Sequence, residues 1–143
     1  MIRTLKHEDL NDVMPIWLGA NLQAHSFISR EYWIEHFDFV REMISQAEVY
    51  VYENVRTHMI EGFIGLEEND IAGIFVTESV QSIGIGKQLL DYVKLIKQSL
   101  CLRVYRKNEH AVAFYRREGF VIRGQNVDAD TGEEEFLLVW NNA

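Results

Sequence analysis

The 143-residue sequence predicts a mixed α/β fold in the order βααβββαβαββ, with a largely antiparallel front half. Three observations carry that expectation. Apolar residues recur at helical spacing in two early segments. The period then switches to three short β-branched and aromatic runs separated by turn-like residues. From residue 84 onward helical and strand patterns alternate, with two strand patterns last.

Each element has its own signal. "MIRTL" is short and alternating, a first strand. From His7 to about Asn21, Leu10, Val13, Met14, Ile16, Trp17 and Ala20 keep a helical period, with Glu8 and Asp9 in the first turn, where carboxylates suit the helix dipole. "ANLQAHSFIS" loses that period and reads as a loop. Trp33, Phe37, Val40 and Ile44 recur at steps of four, three and four, predicting a second helix over about 30–45 whose stripe is core. "EVYVYE", "MIEGFIGLEE" and "DIAGIFVT" read as three successive antiparallel strands, set apart by "NVRTH" and "EEND". A helix over 84–97 places Leu89, Leu90, Val93 and Ile96 on one side. "LCLRVY" is a strand, 108–118 a helix, and "FVIRGQ" and "EEFLLVW" are strands. With one proline, Pro15, and no repeat or linker, the chain reads as one domain over 1–143.

Composition narrows the function classes. Hydrophobic content of 48% with 25% charged residues excludes a disordered chain. No apolar run approaches the ~20 residues that span a bilayer, and the charged start "MIRTLKHEDLND" is unlike a secretory signal. Cys101 is alone, so neither a disulfide framework nor a cysteine-based zinc motif is expected, and the expected location is the cytoplasm. The net charge of −8 divides unevenly: −9 over residues 1–80, +6 over 81–123 and −5 over 124–143. A globally acidic chain argues against nucleic-acid binding. A basic centre between acidic flanks suggests an anionic ligand beside a site that tolerates a cation.

"QSIGIGKQLL" (81–90) opens the helix over 84–97 with two glycines, Gly84 and Gly86, and Lys87 directly behind. Glycines at a helix entrance let backbone N–H groups converge on phosphate. The two most familiar phosphate loops fail by residue identity. A dinucleotide fingerprint needs glycine at Leu89, and a Walker A loop needs glycine at Gln81 and Ser/Thr at Gln88. The pattern that fits is [Q/R]-x-x-G-x-[G/A], here Gln81-Ser82-Ile83-Gly84-Ile85-Gly86, between a strand and a helix. Downstream, "NEHAVAFYRREGF" fits N-x-x-A-x-x-F-Y-x-x-x-G-F at Asn108, Ala111, Phe114, Tyr115, Gly119 and Phe120.

Together these two signatures resemble the GNAT superfamily of acyl-CoA-dependent N-acetyltransferases over the whole chain. "HSFISREYW" further resembles a small bacterial branch, YjaB/YiaC-like, that carries H-x-F-[I/L] followed by Tyr. The resemblance implies a mixed, mostly antiparallel seven-stranded sheet flanked by four helices. It also implies attack of a neutral amine on the thioester of acetyl-CoA, a co-substrate, with no metal. Ile74, Phe75 and Val76 match the strand that bonds the pantetheine arm, and Gln81 to Lys87 match the pyrophosphate loop. Asn108, also a natural helix N-cap, matches a pantetheine ligand, followed by Ala111 and Phe114. Tyr115 matches the general acid that protonates the thiolate. Asp70 matches a glutamate that some relatives use as base; read alone, it is a solvated turn residue. His25 and Phe27, in the loop after the first helix, match the acceptor side.

Asp128, Asp130 and Glu133 to Glu135 fall in and after the loop joining the last two strands, which in relatives overhangs the acceptor. They suggest a cationic acceptor, a protein lysine, polyamine or similar amine. A non-catalytic acyl-CoA-binding or sensing module is the alternative, and a monomer or homodimer is expected.

Overall fold

A computed structural model describes residues 1–142. Its strands are β1 (Ile2–Thr4), β2 (Glu48–Glu53), β3 (Ile60–Glu67), β4 (Asp70–Val76), β5 (Ser99–Tyr105), β6 (Val121–Val127) and β7 (Glu134–Asn141). They form one sheet in the order β1-β2-β3-β4-β5-β7-β6. The helices are α1 (Leu10–Ala24), α2 (Arg30–Gln46), α3 (Ile85–Ile96) and α4 (Glu109–Arg117), in the predicted order.

Strand alternation divides the apolar residues between two cores. Val49, Val51 and Phe63 face α1 and α2, meeting Val13, Met14, Trp17 and Trp33. Ile64, Leu66, Leu100, Leu102 and Leu138 face the other way, against Leu89, Leu90 and Val93 of α3 and Tyr115 of α4. Burying both faces is what allows the central strands to be apolar on both sides.

α1 differs from the expectation at both ends. A 3-10 turn, His7–Asp9, precedes it, and the helix runs on to Ala24 rather than stopping near Asn21. The stripe Leu10, Met14, Trp17 continues at Asn21, which is polar yet only 4% exposed. Its Nδ2 donates to the Trp17 carbonyl at 2.9 Å, so the amide is satisfied inside the helix. A polar residue in an apolar position hid the last turn.

One irregularity positions everything that follows. All strand pairs are antiparallel except β4 with β5, which are parallel and pair only at Asp70↔Cys101 and Ile71↔Leu102. Beyond Ile71 the two strands separate. In the same stretch β4 carries a bulge, since Ile71 and Gly73 face the consecutive residues Leu66 and Gly65 and leave Ala72 unopposed. The bulge puts Ile71, Ile74 and Val76 on the α3 side and Phe75 on the α1 side. The sheet therefore opens in its middle.

Candidate active site

The chain leaves β4 at Val76, makes a 3-10 turn over Glu78–Val80 and enters the glycine loop. Gln81 fixes the loop at its start: its Nε2 donates to the Val76 carbonyl (3.0 Å) and to Gln23 Oε1 at the end of α1 (2.9 Å). Ser82 and Gly84 both turn through positive φ, at 68° and 94°. Gly84 is the N-cap of α3, and no side chain caps that helix. The N–H groups of Ile85, Gly86 and Lys87 therefore have no intrahelical acceptor, and no acidic residue stands in the first turn. Such a helix end is suited to an anion. Lys87, directly behind the glycines, bonds Asp91 and Glu118 at 3.0 Å each.

A cleft of about 930 Å³ runs along the gap beyond Ile71. It is lined by Ile74, Phe75 and Val76 of β4, by Gln81, Ser82, Gly84, Ile85, Gly86 and Lys87, by Asn108, Ala111, Phe114 and Tyr115, and by His25. Its volume is that of a site for a sizeable small molecule. Ile83, at the loop tip, is 66% exposed and does not line it. Phe27, Asp70, Asp128 and Asp130 do not line it either.

Tyr115 sits in the last turn of α4 with its ring between Phe114 (5.2 Å) and Phe120 (5.4 Å). The residue is 7% exposed, and burial pushes its phenol well above the usual value. Among the described residues nothing hydrogen-bonds its hydroxyl, although the residue lines the cleft. The ring is core; the hydroxyl is a free, protonated donor. Asn108 does cap α4 as expected, its Oδ1 accepting from Ala111 N–H at 3.3 Å.

His25 reaches the cleft, but as an engaged group rather than a free base. Nδ1 lies 3.0 Å from Asn21 Oδ1 and Nε2 lies 3.1 Å from Asn108 Nδ2. Its ring stacks on Trp33 at 5.3 Å, and burial pushes its pKa down to about 4. Asp70 lies at the opposite end of β4, four residues or about 13 Å from Ile74. Burial raises its carboxyl, and its neighbour is Cys101 Sγ at 3.8 Å. The structure does not bring Asp70 to the cleft.

Beside His25 lies a cluster of aromatic and acidic groups. Phe27 and Tyr105 pack edge-on at 5.7 Å, and both contact the His25 ring. The Tyr105 hydroxyl donates to Asp128 Oδ2 at 2.7 Å. Burial alone would raise the Asp128 carboxyl, but that bond, with others from Asp130 and Thr131, holds it below its ordinary range. Asp128 and Asp130 also push up the phenol of Tyr32, after burial. Lys107 Nζ lies 5.5 Å over the Phe27 ring and 3.0 Å from Glu133. A lysine of the chain itself thus rests between an aromatic face and a carboxylate. Tyr32 stood in the sequence reading as the tyrosine of "HSFISREYW", whereas Tyr105 and Lys107 escaped it, as did Asn21 and Gln23. Of these only Asn21, polar within an apolar stripe, carried a local signal.

A sheet opening between two parallel strands, with an uncapped helix N-terminus at its mouth and a tyrosine in its lining, is an arrangement suited to an acyl-CoA-type transferase. Comparison with known proteins agrees. Residues 45–122, more than half the chain, match the acetyltransferase (GNAT) domain family. The chain belongs to that family and is an acetyltransferase. It is 31% identical to the peptidyl-lysine N-acetyltransferase YjaB of Escherichia coli K12, over 96% of this chain and 92% of that one. It is 32% identical to the peptidyl-lysine N-acetyltransferase YiaC of the same strain, over 98% and 93%. The solution structure of apo YjaB from Escherichia coli superposes with a TM-score of 0.88 at 29% identity, covering 100% of this chain and 98% of that one. The PaiA N-acetyltransferase of Thermoplasma acidophilum, solved with coenzyme A, shares the fold at a TM-score of 0.81 and 20% identity, over 99% and 98%.

Proposed function

We propose that this chain transfers the acetyl group of acetyl-CoA to the ε-amine of a protein lysine or a similar cationic amine. The observation that carries the reading is the cleft where β4 and β5 part, with free N–H donors at the start of α3 and the Tyr115 hydroxyl along its wall. The first-turn N–H groups of α3 receive the pyrophosphate, and Gln81 holds their loop in place. Backbone groups of Ile74, Phe75 and Val76, in the stretch where β4 no longer pairs with β5, align the pantetheine arm. Asn108 adds a side-chain contact.

The amine nitrogen attacks the thioester carbon, forming the C–N bond, and the C–S bond then breaks. Tyr115 gives its proton to the leaving thiolate and is reprotonated from solvent. The amine proton leaves through ordered water, because Asp70 stands outside the cleft. Two supports favour a cationic acceptor. The curated relatives are peptidyl-lysine N-acetyltransferases by name. Phe27 and Glu133, beside the bonded pair Tyr105–Asp128, already hold one lysine head, that of Lys107.

The test is CoA release from acetyl-CoA across lysine peptides, polyamines, amino acids and aminoglycosides. Lysine peptides or polyamines should turn over fastest. An acidic metabolite or phosphorylated sugar as best substrate would overturn the acceptor assignment. Acetyl-CoA binding without CoA release on any amine would turn the reading to a sensing module.

A further inference from the structure

α1 and α4 are joined across the cleft by four hydrogen bonds in series. Ala111 N–H meets Asn108 Oδ1 at 3.3 Å, and Asn108 Nδ2 meets His25 Nε2 at 3.1 Å. His25 Nδ1 then meets Asn21 Oδ1 at 3.0 Å, and Asn21 Nδ2 meets the Trp17 carbonyl at 2.9 Å. The two ends are backbone groups, whose polarity is fixed. Ala111 N–H needs an oxygen, so the Asn108 amide turns its nitrogen toward His25. The Trp17 carbonyl needs an N–H, so Asn21 turns its oxygen toward His25.

An imidazole between a donor and an acceptor has one form that satisfies both. It is neutral, with its proton on Nδ1 and a lone pair on Nε2. Every bond in the series then donates in the same direction, from α4 to α1. An imidazolium, or the other neutral tautomer, would set N–H against N–H at Asn108. The stack on Trp33 (5.3 Å) and the edge contact with Tyr105 (5.1 Å) fix the ring plane.

We propose that His25 is a positioning residue for acyl-CoA binding. Through this one-way series it sets the Asn108 carboxamide, so that the second N–H of Nδ2 remains for the ligand in the cleft. Without His25, Asn108 keeps its capping bond but loses the partner that holds its amide nitrogen. The inference rests on the reading of Asn108 as an acyl-CoA ligand.

The experiment joins acetyl-CoA titration calorimetry to ¹⁵N NMR of the ring nitrogens, both on the full chain. At neutral pH the His25 Nε2 resonance should be that of an unprotonated nitrogen, and Nδ1 should carry the proton. His25→Ala and Asn108→Ala should each weaken acetyl-CoA binding about tenfold, the scale of one hydrogen bond. The double variant should be no weaker than either single one. His25→Gln can accept from Asn108 and donate to Asn21, so it should bind within about threefold of the wild type. It also serves if His25→Ala collapses the aromatic cluster. A protonated Nε2 at neutral pH, single effects that multiply in the double variant, or a His25→Gln no better than His25→Ala would each overturn the inference. In those cases the proposed function stands, because the wild type still binds acetyl-CoA. A wild type that binds none would overturn both.

Discussion

Ser82 and Gly84 hold neighbouring left-handed backbone angles, yet substitution should affect them differently. An L-residue at positive φ costs about 1–2 kcal/mol, and glycine in its place loses about 0.5–1 kcal/mol of chain entropy on folding. At Ser82 the two effects largely offset, so Ser82→Gly should shift stability in urea by less than about 1 kcal/mol. At Gly84 they do not: Gly84→Ala takes on the strain and should cost about 1 kcal/mol or more, with weaker acetyl-CoA binding by calorimetry. Tyr115→Phe is a different kind of change. The hydroxyl has no partner in the chain, so stability should move by less than about 0.5 kcal/mol, whereas turnover should fall about 10²–10³-fold with acetyl-CoA affinity retained. Single-turnover kinetics with thermal unfolding measures both; unchanged turnover with chemistry limiting removes Tyr115 from the acid role. At His25 the folded pKa of about 4 lies below the unfolded value near ~6.5. The unfolded chain therefore takes up the proton first. Stability is complete above about pH 6.5 and declines toward pH 4, by at most about 3 kcal/mol. The charged groups facing this ring are Asp128, through Tyr105, and Lys107, over Phe27. Urea midpoints from pH 7 to 4.5 should fall for the wild type and stay flatter for His25→Gln.

At the scale of elements, the last turn of α1 reaches both lips of the cleft, through Gln23 to the glycine loop and His25 to α4. The two family signatures were legible because each is local: six residues at a helix entrance, thirteen along a helix. So were the elements, because period alone separates helix from strand. What joins them was not legible. His25 and Asn108 are 83 residues apart, and nothing near either predicts the other. Asp70 was matched to a base by resemblance, which does not say where the sheet opens; the opening lies beyond Ile71, and Asp70 is not in the cleft lining. The acidic loop between β6 and β7 was read by charge, and Tyr105 then gives Asp128 a definite seat. Asp128→Asn should raise KM for a lysine peptide several-fold and leave KM for acetyl-CoA unchanged. Equal effects on both would show that the residue only supports the fold.

At the scale of the molecule, the charge pattern of the chain acquires a direction. The basic middle supplies the glycine loop and α4, while Asp128, Asp130 and Glu133 collect outside the cleft lining, beside Tyr105, Tyr32 and Lys107. An anion is drawn to the first and a cation to the second. For a basic peptide acceptor, kcat/KM should therefore fall as ionic strength rises from 0.01 to 0.2 M, where the screening length shortens from ~30 Å to under ~10 Å. A neutral amine should show little change; equal salt dependence for both would argue against steering by these carboxylates. The parting of β4 from β5 has one further consequence. It gives the sheet an interior border, a run of main chain with no strand beside it on the β5 side, in the middle of the fold rather than at its rim. Borders of that kind invite foreign strands. If the proposed function holds, the guest is part of the reaction, and hydrogen exchange along Gly73–Val76 should slow when acetyl-CoA is added.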